Sequence, residues 1–92
     1  MNNVSTQHTY LFDALHDRGL AQHFSSAGGS LQDEAAVLGA AIRCMMVCGE
    51  SLSNKELILQ LIHALDVTTD PEACDIIRNT LEIVVGYTRD DI

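Results

Sequence analysis

The apolar residues of this chain recur at spacings of three and four along several segments, and helix-starting and helix-ending residues flank those segments. An α-helix completes a turn in about 3.6 residues, so such spacings keep the apolar side chains on one side of it. The pattern therefore predicts an all-α fold, a small helical bundle. Three main helices are expected over residues 30–48, 54–66 and 71–88, and a short N-terminal helix over residues 17–25.

Specific residues predict where these helices begin and end. Ser30 is expected to cap the second helix, and Gly49 to end it. Ser53 and Glu56 have the spacing of a capping box, which starts the third helix. Asp70, followed by a proline at the first helical position, starts the fourth helix.

The length of the chain allows one domain. Because 92 residues enclose a single hydrophobic core, we expect a flexible head over residues 1–16 and one helical domain over residues 17–92.

The sequence has no apolar run of the roughly 18–20 residues that a membrane span requires, and its N-terminus lacks the basic and apolar regions of a signal peptide. We therefore expect a cytoplasmic protein.

The charge of the chain is strongly negative. It has 13 acidic residues against 5 Lys and Arg, which gives a formal net charge of -8. Affinity for nucleic acid comes mainly from Lys and Arg that displace counterions, so this composition favours a protein partner. If a dimer brought basic residues of two subunits together, the possible DNA contacts would be Arg43, Lys55, Arg78 and Arg89.

Two of the predicted helices carry more than one apolar stripe. The second helix has a predicted core stripe of Leu31, Ala35, Leu38, Ile42 and Met45, and a second stripe of Val37, Ala41, Cys44 and Cys48. The fourth helix has one stripe of Cys74, Ile77, Leu81 and Val84, and a second stripe that includes Ile76, Thr80, Ile83 and Tyr87. Since a chain this small cannot bury every stripe, the two second stripes are the predicted interface of a homodimer. Alternatively, one helix is central in the bundle and buries both of its stripes.

The third predicted helix has a single broad apolar stripe, as an ordinary amphipathic helix does. The residues of this stripe, which we expect to face the core, are Leu57, Ile58, Leu61, Ile62 and Leu65.

No sequence motif of catalysis or of nucleotide binding occurs, so we expect a protein that is not an enzyme and that has no catalytic, cofactor-binding or metal-binding residues. Cys44 and Cys48 lack the second ligand pair of a structural zinc site. Together with the third cysteine, they are expected to be reduced thiols that are buried as small apolar side chains. The four histidines, which we expect to be solvated, are His8, His16, His23 and His63.

Three stretches of the sequence carry a resemblance to a known family. They are residues 34–39 (EAAVLG), residues 59–70 with LQLIHAL followed by TTD, and residues 75–91 with DIIR, TLEIV and YTRDD. The chain resembles the YmgB/AriR family of small enterobacterial regulators of biofilm development and acid resistance. The likeness covers residues 17–92 in one register, and residues 76–91 are its most specific part.

The resemblance implies an all-helical, homodimeric, cytoplasmic protein that adjusts the expression of biofilm and acid-resistance genes. Two mechanisms are associated with such proteins. In the first, the protein is a connector that acts through protein contacts on a two-component phosphorelay of the Rcs type. In the second, it is a nucleoid-associated transcriptional modulator of the Hha type that binds DNA without sequence specificity. No catalytic or ligand residue is transferred from the family.

The net charge favours the connector mechanism, because a chain at -8 is poorly built to bind phosphates alone.

The charge also suggests a response to acid. As the pH falls toward the isoelectric point near 4.6, repulsion between subunits decreases, so acid is expected to promote association.

Overall fold

The structure, a computed structural model, describes residues 11–88, and these fold as the predicted all-α bundle. In chain order, its elements are α1 (Arg18–Ser26), a 3₁₀ turn (Gly28–Leu31), α2 (Gln32–Cys48), α3 (Asn54–Val67) and α4 (Pro71–Tyr87). Residues 11–88 contain no strand. Within the same range, no helix is long and apolar enough to cross a membrane.

Side-chain caps start three of the four helices named above. In each of them, an oxygen atom of the N-cap side chain accepts a hydrogen bond from the backbone N–H three residues further on. The capping residues are Asp17 for α1, Ser53 for α3 and Asp70 for α4. Each bond satisfies one of the N–H groups that the first turn of a helix leaves without a partner. The predicted starts of α3 and α4 are thereby confirmed.

The predicted start of α2 at Ser30 is wrong. Residues Gly28–Leu31 form a 3₁₀ turn that leads directly into α2, and the hydroxyl of Ser30 donates back to the carbonyl of Ala27 at 2.9 Å. Leu31 therefore occupies the N-cap position without a side-chain bond. Ser30 cannot cap the helix because it already lies inside a helical turn.

The core lies where α1, α2 and α3 meet α4. The predicted core stripe of α2 is confirmed, since Leu38, Ile42 and Met45 each have 0% exposure. The structure places Phe12 and Leu15 in the same core, with the ring of Phe12 at 5.5 Å from that of Phe24. The core thus begins within the segment that we predicted to be a flexible head. Residues 1–10 of that segment lie outside the described residues.

The apolar stripe of α3 is narrower than predicted. Leu57 and Leu61 are fully buried, whereas Ile62 is 47% exposed. The assignment of Ile62 to the core is therefore wrong. Ile62 lies one residue beyond Leu61, which places it about 100° further around the helix and beyond the part of α3 that packs on the bundle.

Gly49 ends α2 with a positive φ of 74°, in the left-handed region. A Cβ atom is disfavoured there, so Gly49→Ala should lower the free energy of unfolding by about 1 kcal/mol. Gly86 lies inside α4, and a Cβ atom added to it meets no other atom within 4 Å. The control Gly86→Ala should therefore raise the free energy of unfolding by up to about 1 kcal/mol through helix propensity.

Urea unfolding of both variants at one protein concentration measures these changes. A Gly49→Ala variant as stable as the parent protein would contradict the role assigned to this glycine.

Candidate interaction surface

The second stripe of α4, one of the two predicted dimer interfaces, faces mainly into the chain itself. Thr80 is completely buried, and its hydroxyl donates to the carbonyl of Ile76 at 2.8 Å. Ile83 and Tyr87 pack against the core. Ile77 and Val84, which belong to the other stripe of α4, are buried as well. Helix α4 is thus a central helix that uses both of its stripes inside the bundle.

Tyr87 contacts α1 through a histidine. Its hydroxyl lies 2.9 Å from Nδ1 of His23, and the two rings meet edge to face with their centroids 5.3 Å apart. The tyrosine ring also approaches Gly19, where an added Cβ would lie 3.2 Å from Cε2 of Tyr87. The prediction that His23 is solvated is wrong, because this side chain is half-buried between helices. In the sequence, His23 lies three residues after Leu20, and this spacing places both side chains on the same side of α1. Since Leu20 is buried, the spacing indicates that His23 faces the bundle.

The second stripe of α2 is more open than that of α4. Val37 is half-buried and Ala41 is buried, but Cys44 and Cys48 are exposed. Our expectation of buried cysteines is therefore wrong for these two, although all three cysteines are free as predicted. The helices α2 and α3 do not close over the stripe, since α3 packs mainly on α4.

A groove of about 260 Å³ runs between α2 and α3 beside this stripe. Its lining is almost entirely apolar and includes small side chains. The residues that line it are Val37, Ala40, Ala41, Gln60, Leu61, Ala64 and Ile77. Two residues of the predicted dimer interface, Val37 and Ala41, belong to this lining. Part of the predicted interface therefore borders an accessible apolar groove.

The outward side of α3 presents a second apolar surface, which the sequence analysis missed. Leu59 is 53% exposed and Ile62 is 47% exposed. With His63, Leu65 and Asp66 they line a shallow depression of about 550 Å³. We call Leu59, Ile62, His63 and Asp66 the α3 outer surface. Its sequence signal is the spacing of three between Leu59 and Ile62, on a side of the helix different from that of the core residues Leu57 and Leu61.

The basic residues named as possible DNA contacts lie on three different helices. Arg43 in α2 and Lys55 in the first turn of α3 are exposed. Arg78 in α4 is paired with Asp75 of its own helix at 3.0 Å, which offsets its charge. Arg89 lies outside the described residues. No cluster of three or more histidine, cysteine or acidic side chains suited to a metal ion occurs between residues 11 and 88.

Comparisons with known proteins identify relatives over most of the chain. The family described as "Biofilm development protein YmgB/AriR" matches residues 30–87. A protein named "Regulatory protein AriR" from Escherichia coli strain K12 / DH10B is 46% identical over 84 residues, which cover 91% of this chain and 96% of the relative. Proteins of the same name from Escherichia coli O1:K1 / APEC and from strain SMS-3-5 / SECEC are 45% identical with the same coverage. No solved structure was found to match the chain.

The contact between Tyr87 and His23 predicts that Tyr87 stabilises the fold of its own chain. Because its hydroxyl bonds His23, Tyr87→Phe should lower the free energy of unfolding by about 1 kcal/mol and leave the molar mass in solution unchanged. Urea unfolding and light scattering measure the two properties.

Thr88→Ala at the end of the same helix removes a hydroxyl that donates only to the local carbonyl of Val84, and it serves as the control for light scattering. A change of molar mass in Tyr87→Phe alone would instead place Tyr87 in a subunit interface.

Proposed function

Because the chain belongs to the YmgB/AriR family of biofilm development proteins, we propose that it is a non-catalytic regulator of biofilm formation and acid-resistance gene expression. In this proposal it acts in the cytoplasm as a homodimer. It works through protein contacts, as a connector to a two-component phosphorelay of the Rcs type.

The proposal of a protein partner rests on the α3 outer surface. Two large aliphatic side chains, Leu59 and Ile62, are about half exposed there and are flanked by the polar His63 and Asp66. Apolar side chains grouped on one helix and surrounded by polar ones are typical of protein-binding surfaces. Leu59 and Ile62 contribute little to the core, so both side chains are available to a partner.

Charge supports the same conclusion. The full chain carries a net charge of -8, so its long-range field repels a nucleic-acid backbone. Of the basic side chains in the described part of the chain, Arg78 is paired with Asp75, and Arg18 with Asp13 at 3.7 Å. Arg43 and Lys55 are the remaining candidates for phosphate contacts, and they lie on different helices.

The homodimer is proposed to form over the groove between α2 and α3. A second copy of the chain would cover Val37 and Ala40 at the groove. Small side chains such as Ala40 and Ala64 allow close approach of another helix. Thr80 is fully enclosed by its own chain, so α2 rather than α4 is proposed as the main dimer contact.

The dimer interface can be tested at the edge of the groove. Ala40→Glu places a charge on an exposed position of the groove lining, where a second copy would have to desolvate it. We expect the dimer to dissociate at least about tenfold more readily, as measured by light scattering over a dilution series. Gln22→Glu adds the same charge on the exposed side of α1 and should leave the dimer intact.

Equal dimerisation of Ala40→Glu and the parent protein would rule out this groove as the interface.

The same dilution series at about pH 7 and about pH 5 tests the expected response to acid. Stronger association is expected at the lower pH, because protonation reduces the negative charge on each subunit. An unchanged dissociation constant would count against acid sensing through net charge.

The partner surface can be tested with a matched pair of substitutions. Leu59→Asp should abolish binding to purified phosphotransfer or receiver domains of the phosphorelay, as measured by calorimetry, because it places a charge at the centre of the α3 outer surface. Val85→Asp introduces the same group at a residue of α4 that is 50% exposed, and it should leave binding unchanged.

A DNA-binding mechanism predicts a different result. A labelled duplex titrated with the protein would then show saturable anisotropy that falls steeply between about 50 and about 200 mM salt. Such binding, together with no affinity for the phosphorelay domains, would overturn the connector proposal. It would place Arg43 and Lys55 of two subunits at the centre of a nucleoid-associated mechanism instead.

A further inference from the structure

Two exposed thiols lie four residues apart on one side of α2. Cys44 and Cys48 are both free and exposed, and no contact with the core accounts for them. Side chains four residues apart are neighbours on the surface of a helix, with Cβ atoms about 5–6 Å apart. The third cysteine, Cys74, differs because it is half-buried and its thiol donates to the carbonyl of Thr68 at 3.4 Å.

This spacing suits a bridging ion better than a disulfide. A disulfide needs Cβ atoms about 3.5–4.5 Å apart, which the helix does not provide without distortion. A metal ion with metal–sulfur bonds of about 2.3 Å spans a sulfur separation of up to roughly 4.6 Å. The helix backbone therefore disfavours oxidation of the pair and permits its bridging by one ion.

A side chain of the neighbouring helix α3 contacts the pair. The amide Nε2 of Gln60, on α3, donates to Sγ of Cys44 at 3.6 Å, and this contact orients the thiol.

We propose that Cys44 and Cys48 form a binding site for a soft monovalent metal ion, Cu(I), within a single chain. Thiolates are soft ligands that select Cu(I), and this ion accepts linear coordination by two sulfurs. On binding, two Cu–S bonds form, both S–H bonds break and two protons leave to solvent. The copper stays monovalent, so no oxidant or reductant takes part.

Competition for a coloured copper complex tests the proposal. The reduced full-length protein is titrated under argon into the Cu(I)–bicinchoninate complex, and loss of the colour of that complex reports transfer to the protein. We expect one Cu(I) per chain. Cys44→Ser and Cys48→Ser should each weaken the affinity by more than the roughly 10–100-fold that loss of an outer-shell contact costs, because each removes a direct ligand. Cys74→Ser is the matched control and should bind like the parent protein.

Three results would overturn the proposal: no transfer of copper, unchanged affinity in Cys44→Ser or Cys48→Ser, or loss of binding in Cys74→Ser. A stoichiometry of one Cu(I) per two chains would also overturn it, because the copper would then link two copies. Circular dichroism of the serine variants verifies that they fold, which their exposed positions on α2 lead us to expect.

Discussion

The packing of α4 against the three other helices is the interaction on which the rest of this structure depends. Both apolar stripes of α4 are used inside the chain: Val84 is fully buried on one, and Thr80 on the other. Thr80 brings a hydroxyl into the core, and that hydroxyl bonds the carbonyl of Ile76 one turn earlier, so no polar atom of its side chain is left unsatisfied. A polar residue can therefore occupy the centre of a small core.

Because α4 is central, the surfaces that remain for function lie on α2 and α3. Helix α3 packs on α4 with a narrow stripe around Leu57 and Leu61, and its opposite side keeps Leu59 exposed. Helix α2 buries Leu38, Ile42 and Met45 and leaves Cys44 and Cys48 in solvent. A bundle of this size thus buries one stripe on each outer helix and presents the rest of their apolar and thiol side chains to partners or ions.

The electrostatics of the chain act on these surfaces in a consistent direction. A net charge of -8 repels polyanions, and the ion pair between Arg78 and Asp75 reduces the positive charge available on α4. Apolar surface on an acidic protein favours association with other proteins, and the exposed thiols of Cys44 and Cys48 are accessible to soft metal ions. The chain belongs to a family of biofilm development regulators, and its surface chemistry suits the protein contacts that we propose for it.

The sequence by itself determined that four helices follow one another from residue 17 onward, because caps such as Ser53 and Asp70 and the periodicity of apolar residues act over a few residues. It also determined the core stripe of α2, because spacings of three and four keep Leu38, Ile42 and Met45 on one side of the helix. It did not determine that Ser30 lies in a 3₁₀ turn, that Phe12 reaches the core, or that His23 bonds Tyr87. The burial of Phe12 and the bond of His23 depend on contacts with segments distant in sequence. The turn at Ser30 depends on how the chain enters α2. The two-stripe pattern was the same in α2 and α4. Only the tertiary structure decided that α4 is enclosed and α2 is open, because that outcome depends on which neighbouring helices pack on each side.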